Sequence, residues 1–243
     1  MRGDESFPSV APGLDSSCRL GAGRSKGHAP GVFTRIKICG LTRLADAVAA
    51  VEAGADALGF VFVPGTPRFV TPEHAAAIVR ELPPFVTKVG LFVNAPESVI
   101  RETVAAAGLD TVQLHGEEPP ELAAALRAMV KVLKAFRIRD AASLALVPPY
   151  RYAVDAFLLD AFVAGTHGGT GASFDWSLAI PAKEFGRPVI LAGGLTPENA
   201  AEAVRQVRPF ALDVSSGVES APGHKDAEKV RRFIANARSV ERE

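Results

Sequence analysis

The chain is poor in the residues that usually advertise a special chemistry or address. Among its 243 residues only Cys18 and Cys39 are cysteine, and neither stands in a C-x-x-C pair. That excludes a disulfide framework and gives no support to a zinc ribbon or a dithiol redox centre. Net charge is absent, with Lys+Arg at 27 and Asp+Glu at 27. No global field therefore gathers nucleic acid or an anionic membrane, and an anionic ligand must be held by local donors. No apolar run approaches the ~18–20 residues of a membrane span. The N-terminus also lacks the ~7–15-residue apolar core of a secretory signal. The first strand-like run is not followed by G-x-G-x-x-G, the fingerprint of a dinucleotide-binding open sheet. Together these absences point to a soluble, cytoplasmic protein with neither nucleic acid nor membrane as partner.

What is present falls into two unequal parts. Residues 1–31 are rich in Gly, Pro, Ser and Arg and show no period. They cannot bury enough apolar surface to offset the entropy of ordering them. They read as a disordered extension, or as the product of a misassigned start, and Cys18 and His28 within them receive no role. From Val32 a unit repeats: a short β-rich apolar run, a few polar or Gly/Pro residues, then an Ala-rich helical stretch. The runs cover 33–38, 57–62, 86–93, 111–114, 130–136, 154–159, 188–192 and 210–214. Thr-Pro and Pro-Glu pairs open several of the intervening helical stretches, as expected of an N-cap with Pro in the first turn. Near-continuous apolar strands alternating with helices predict a parallel sheet covered by helices. Eight such units over 32–243 predict a single-domain α/β protein, a (β/α)8 TIM barrel. An open doubly wound sheet is the competing arrangement. The fifth helical stretch is the weakest, because "VPPY" at 147–150 cuts it short.

A barrel of this kind carries its site at the C-terminal ends of its strands, and polar residues gather there. In strand order they are Cys39, Arg68, Asn94, Gln113 with His115, Lys134, Asp160, Gly193 with Gly194, and Asp213 followed by Ser215, Ser216 and Gly217. Glycine-rich turns at 167–171, 192–195 and 215–219 fall in the last three strand-to-helix loops. Loops after the seventh and eighth strands commonly cradle phosphate with backbone N–H groups. Ordinary tight turns would need the same glycines. Cys39 and Asp160 are the titratable pair that the barrel would bring to one mouth, a potential base and acid. Cys39 is equally readable as a small hydrophobe closing a core strand, and Asp160 as a helix cap. Arg68 suits a substrate carboxylate or simply a solvated loop. His167, inside a Gly loop, reads as a bystander.

The segments "KICGLT", "GADALGFVFVPGTPRFV", "VGLFVN", "VQLHGEE", "GGTGASFDWSLA", "LAGGLTPENA" and "VRPFALDVSSGVESAPGHKD" occur in this order from about Arg35 to about Ala237. In them the chain resembles the phosphoribosylanthranilate isomerases. The resemblance implies a small-molecule substrate, N-(5-phosphoribosyl)anthranilate, and its Amadori rearrangement in tryptophan biosynthesis, with no metal and no organic cofactor. It implies that Asp160 donates a proton to the furanose ring oxygen and that Cys39 removes the proton from sugar C2. Arg68 would hold the anthranilate carboxylate. Gly193, Gly194, Ser216 and Gly217 would form the phosphate cradle together with Gly169 and Gly171 of the 168–171 loop. Asp213 and His115 would have supporting roles. For the base role the thiol, ordinarily near ~8.5, would have to be lowered by a cationic or dipolar surrounding; whether Lys37 faces it is open.

Two other classes compete. A metal-dependent sugar-phosphate epimerase needs paired histidines and carboxylates at the strand ends, and only His115 and His167 are so placed. A non-catalytic phosphate sensor would need neither Cys39 nor Asp160. The protein is expected to act as a monomer or homodimer and to serve a single substrate, since neither "VPGTPR" nor "HGGTG" shows an added arginine for a second anion.

Overall fold

The computed structural model describes residues 33–161 and 176–240. The extension at 1–31, with Cys18 and His28, and the loop carrying His167, Gly169 and Gly171 lie outside the described residues. Eight strands form a closed parallel barrel in sequence order. They are β1 (Arg35–Cys39), β2 (Ala57–Val61), β3 (Thr87–Phe92), β4 (Thr111–Leu114), β5 (Lys131–Ile138), β6 (Ala156–Ala161), β7 (Val189–Ala192) and β8 (Ala211–Val214). The ring closes by parallel pairing of β8 with β1, where Lys37 lies opposite Asp213. Every predicted strand is present. β1 runs one residue further than the sequence suggested, because Cys39 stays in register with Gly59 of β2 rather than leaving for the loop.

Among the described residues six α-helices cover the barrel: α1 (Leu44–Glu52), α2 (Pro72–Val79), α3 (Glu97–Ala107), α4 (Pro120–Leu126), α5 (Ala200–Val207) and α6 (Ala227–Ser239). Their ends follow local chemistry. Thr71 accepts from the His74 N–H with Pro72 in the first turn, and Asp226 accepts from the Glu228 and Lys229 N–H groups. Each such cap satisfies donors that a helix leaves open, worth about 1 kcal/mol. The pair Thr196-Pro197 does not open α5. Instead Asn199 Oδ1 takes the Thr196 N–H at 2.8 Å and closes a separate turn before the helix starts at Ala200.

The fifth and sixth helical stretches are corrected. Residues Ala141–Leu146 and Pro148–Tyr150, and then Trp176–Ala179 and Pro181–Phe185, form short 3-10 turns instead of α-helices. Pro148, Pro149 and Pro181 have no N–H to donate to an i−4 carbonyl, so no α-ladder can propagate through them. After β8 a two-stranded hairpin, β9 (Glu219–Ala221) and β10 (His224–Lys225), precedes α6.

Two cores result from the period-2 alternation of the strands. Outward residues such as Ile36, Ile38, Phe60, Phe92 and Phe157 pack against the helices with Phe233 of α6. Burying each such side chain fully stabilises by about 1.5–3 kcal/mol. Inward residues near the barrel axis are smaller: Ala135, Ala156, Leu158, Ile190, Ala192 and Ala211. Beside that inner layer lies an ion pair, Lys37 to Asp213 at 2.8 Å, with side chains 4% and 8% exposed. Among the described residues no helix is long and apolar enough to cross a membrane.

Candidate active site

The same alternation that sends Ile36 and Ile38 outward sends Lys37 and Cys39 inward. It likewise turns Leu158 and Asp160, Ala211 and Asp213, to the interior. The last inward residue of β1, β6 and β8 is therefore polar and stands at the strand end. These groups open into a cavity of about 440 Å³. Cys39, Arg68, His115, Asp160, Asp213, Gly193, Gly194, Ser216 and Gly217 all line it. Gln113 also lines it, whereas two other strand-end residues serve elsewhere. Asn94 accepts from the Glu117 N–H at 2.7 Å. Lys134 turns to Glu118 at 3.1 Å and to the Gly116 carbonyl at 2.7 Å, bracing the loop after β4.

That brace holds His115 and its neighbours. His115 Nε2 is 3.2 Å from Asp160 Oδ2. The alignment does not make this a hydrogen bond, and Nε2 has no hydrogen-bond partner among the described residues. On the other ring edge, Gln113 Nε2 is 3.3 Å from His115 Nδ1. Gln113 Oε1 is likewise buried without a partner among the described residues. Leaving a buried polar atom without a partner costs roughly 1–3 kcal/mol, so these two atoms set a polar demand on this side of the cavity.

Cys39 is 5% exposed. Its surroundings differ from the expectation that cations would lower the thiol. Burial pushes the Cys39 thiol above its ordinary value, Asp213 adds to the rise, and the Lys37 and Lys225 cations offset only part of it. For Lys37 burial works against the charge, but Asp213 and Cys39 outweigh it and hold the ammonium above the ordinary lysine range. Three cations, Lys37, Lys225 and Arg68, thus share the region with two carboxylates, Asp213 and Glu219. One positive charge is in excess while Cys39 is a thiol, and ionising it brings the group to neutrality. Such a thiol is scarce as thiolate but strongly basic once formed.

Arg68 meets Glu219 in a bidentate pair, Nε to Oε1 at 2.8 Å and Nη2 to Oε2 at 2.6 Å. Glu219 Oε1 also takes Lys225 Nζ at 2.8 Å. Burial opposes the Glu219 charge, yet Arg68 and Lys225 together hold its carboxyl below the ordinary range. Sequence reasoning missed both partners. The signal was the Pro222-Gly223 turn between two charged residues, a hairpin that folds Lys225 back on Glu219. Arg137, at the end of β5 opposite Asp160 in register, was missed as well and lines the cavity.

On the other wall, the loops after β7 and β8 touch. Gly193 and Gly194 both adopt left-handed backbone, φ 83° and 63°. A Cβ on Gly217 would stand 1.9 Å from the Leu195 carbonyl oxygen. Only a residue without a side chain lets the two loops approach this closely.

Comparison with known proteins shows what the chain as a whole is similar to. The family model described as N-(5'phosphoribosyl)anthranilate (PRA) isomerase matches residues 36–236. The N-(5'-phosphoribosyl)anthranilate isomerase of Geobacter metallireducens is 58% identical over 207 residues, covering 85% of this chain and 100% of the relative. The crystal structure of phosphoribosyl anthranilate isomerase from Thermotoga maritima superposes with TM-score 0.81 at 45% identity, over 85% of this chain and 100% of that one. A further isomerase structure, in complex with reduced 1-(o-carboxyphenylamino)-1-deoxyribulose 5-phosphate, gives TM-score 0.78 at 44% identity, again over 85% and 100%.

Proposed function

Because the chain belongs to the phosphoribosylanthranilate isomerase family, we propose that Cys39 and Asp160 divide the base and acid work of its reaction. That reaction is the Amadori rearrangement of N-(5-phosphoribosyl)anthranilate to 1-(2-carboxyphenylamino)-1-deoxyribulose 5-phosphate in tryptophan biosynthesis. Asp160 gives its proton to the furanose ring oxygen, the C1–O bond breaks, and the nitrogen lone pair forms a C1=N bond, a protonated (iminium) imine. The imine acidifies the proton on C2. Cys39 takes it, the C2–H electrons move into a C1–C2 double bond, and the imine nitrogen is neutralised as an enolamine. Tautomerisation delivers the ketose, with a proton returned at C1.

Arg68 would hold the anthranilate carboxylate, while Gly193, Gly194, Ser216 and Gly217 hold the phosphate. His115, 3.2 Å from the acid, and Asp213, paired to Lys37, support these groups. Gly169 and Gly171, assigned to the phosphate from the sequence, lie outside the described residues. The observation that carries the reading is the meeting of Cys39 and Asp160, from non-adjacent strands, in one cavity with Arg68 and the glycine loops. The thiol is more basic than expected, which suits proton removal from carbon and delays its ionisation to higher pH. The site is read as specific for this one aminoaldose, turning over without metal or organic cofactor in a monomer or homodimer. A cytoplasmic location fits a catalytic thiol that must stay reduced.

The test is isomerisation of freshly generated phosphoribosylanthranilate, followed by loss of its fluorescence in the presence of a chelator. Wild type is run beside Cys39→Ser and Asp160→Asn. Turnover that resists the chelator and falls by about 10²–10⁴-fold in each variant, the usual contribution of a positioned acid or base, is the expected result. A fully active Cys39→Ser enzyme would return Cys39 to a packing role, and turnover abolished by chelation would overturn the cofactor-free reading.

A further inference from the structure

We propose that Glu219 is a positioning residue for substrate recognition, the group that fixes Arg68 so that one edge of its guanidinium is presented to the cavity. The inference rests on the reading of Arg68 as the carboxylate holder and adds a residue that reading does not contain.

A guanidinium has five N–H donors in a rigid plane. Glu219 takes the Nε and one Nη2 hydrogen side-on. Among the described residues no other acceptor is bonded to Arg68, so the Nη1–Nη2 edge remains for a ligand. That end-on edge matches the two oxygens of a carboxylate. The stem of Arg68 is held too. It lies over Gly40, where a Cβ would come within 2.4 Å of Arg68 Cδ. Both ends of the side chain are therefore set before substrate arrives, which removes much of the entropy that a free arginine would lose on binding.

Glu219 is itself immobilised. Lys225 Nζ bonds Oε1 at 2.8 Å and the Ser215 carbonyl at 3.1 Å, and Gly223 N–H reaches Oε1 at 3.3 Å. The β9–β10 hairpin that carries these groups is docked against the loops it serves. Thr42 Oγ1 donates to the Gly223 carbonyl at 2.7 Å. A Cβ on Gly223 would come within 2.6 Å of the Pro67 carbonyl oxygen, next to Arg68 in sequence. A pair that only held the hairpin down would gain nothing from an arginine whose head lines the cavity and stays 26% exposed, while Lys225 at 1% already neutralises the carboxylate.

The experiment is a double-mutant cycle of Arg68→Ala and Glu219→Gln with two substrates, phosphoribosylanthranilate and its carboxylate-free counterpart phosphoribosylaniline. Arg68→Ala is expected to raise KM for the first substrate much more than for the second; any loss through the charge around Cys39 falls on both substrates and cancels in their ratio. Glu219→Gln is expected to raise KM for the first by about tenfold relative to the aniline substrate, the equivalent of one weakened charge-assisted contact, while any change in kcat through the charge around Cys39 is common to both substrates. In the Arg68→Ala background Glu219→Gln is expected to add nothing. Equal losses on both substrates, or a full second loss in that background, would make Glu219 a general structural residue and overturn the inference. If Arg68→Ala does not discriminate between the substrates, the Arg68 reading itself fails and this inference with it. If Arg68→Ala discriminates and Glu219→Gln does not, only this inference fails. Should Glu219→Gln melt below the assay temperature, Glu219→Asp, which keeps the charge and shortens the reach, is read by the same criteria.

Discussion

Placing one methyl group where the loops after β7 and β8 meet tests how closely the proposed phosphate cradle is built. Gly217 has ordinary backbone geometry, so Gly217→Ala introduces no torsional strain. Its effect is pure contact. The new Cβ would lie 1.9 Å from the Leu195 carbonyl oxygen and 3.0 Å from the carbonyl carbon. Relaxing the first distance to about 3.3 Å, the near limit for a carbon–oxygen contact, requires the loops to part by about 1.4 Å. Both neighbours are backbone, so no side-chain rotation can absorb the shift. A misplacement of about 1 Å in a binding constellation costs about 10²-fold, or close to 2.7 kcal/mol of transition-state stabilisation. Overpacking should also lower stability by about 1–3 kcal/mol.

The assay is kcat/KM by fluorescence loss, with inorganic phosphate as a competitive inhibitor to report the cradle directly. We expect KM and the phosphate inhibition constant to rise together. Gly108→Ala is the comparison: it caps α3 in left-handed backbone, φ 67°, with Val79 no nearer than 3.6 Å. It should cost about 1 kcal/mol of stability through strain and leave kinetics untouched. A Gly217→Ala enzyme with wild-type kcat/KM and phosphate inhibition would refute the reasoning that loop contact sets the site.

Two further perturbations follow from the charges. The thiolate of Cys39 is the basic form and burial raises its pKa, so kcat/KM should climb with pH along a limb centred above the ~8.5 of an ordinary thiol; Cys39→Ser should remove that limb. The folded thiol keeps its proton where an unfolded one has begun to ionise, so the same shift should make stability fall as pH rises through that window, as seen in urea titrations at a series of pH values. Lys134→Met would strand the Glu118 carboxylate, 1% exposed, without its cation. A broken buried pair costs about 3–5 kcal/mol. Urea unfolding should register that loss, and Lys134→Met/Glu118→Gln should recover part of it.

The barrel was legible because its strands are buried on both sides and read as apolar runs, while Thr71-Pro72 and Gly108 punctuate the helices between them. The 3-10 turns were less so. Trp176 to Phe185 has the composition of a helix, and only the single Pro181 at its middle changes the outcome. Of the cavity residues, those at strand ends could be found by counting, since period 2 turns Cys39, Asp160 and Asp213 to the same interior. Glu219 and Lys225 escaped because their partners are set by how a hairpin folds back, a matter of three-dimensional return that strand counting does not follow. The direction of the Cys39 shift escaped for a related reason. Lys37 is visible two residues away, but the depth of burial and the approach of Asp213 across the ring closure are not.

Closure of the ring between β8 and β1 orders events during synthesis. Cys39 leaves the ribosome early, while Asp213 and Lys225, which share its electrostatic surroundings, come from the final stretch of the chain. Until β8 docks beside β1, the thiol lacks the wall that leaves it 5% exposed in the finished fold. Oxidants should therefore reach Cys39 most easily in the nascent chain, and a culture under oxidative stress should lose newly made enzyme faster than enzyme already folded.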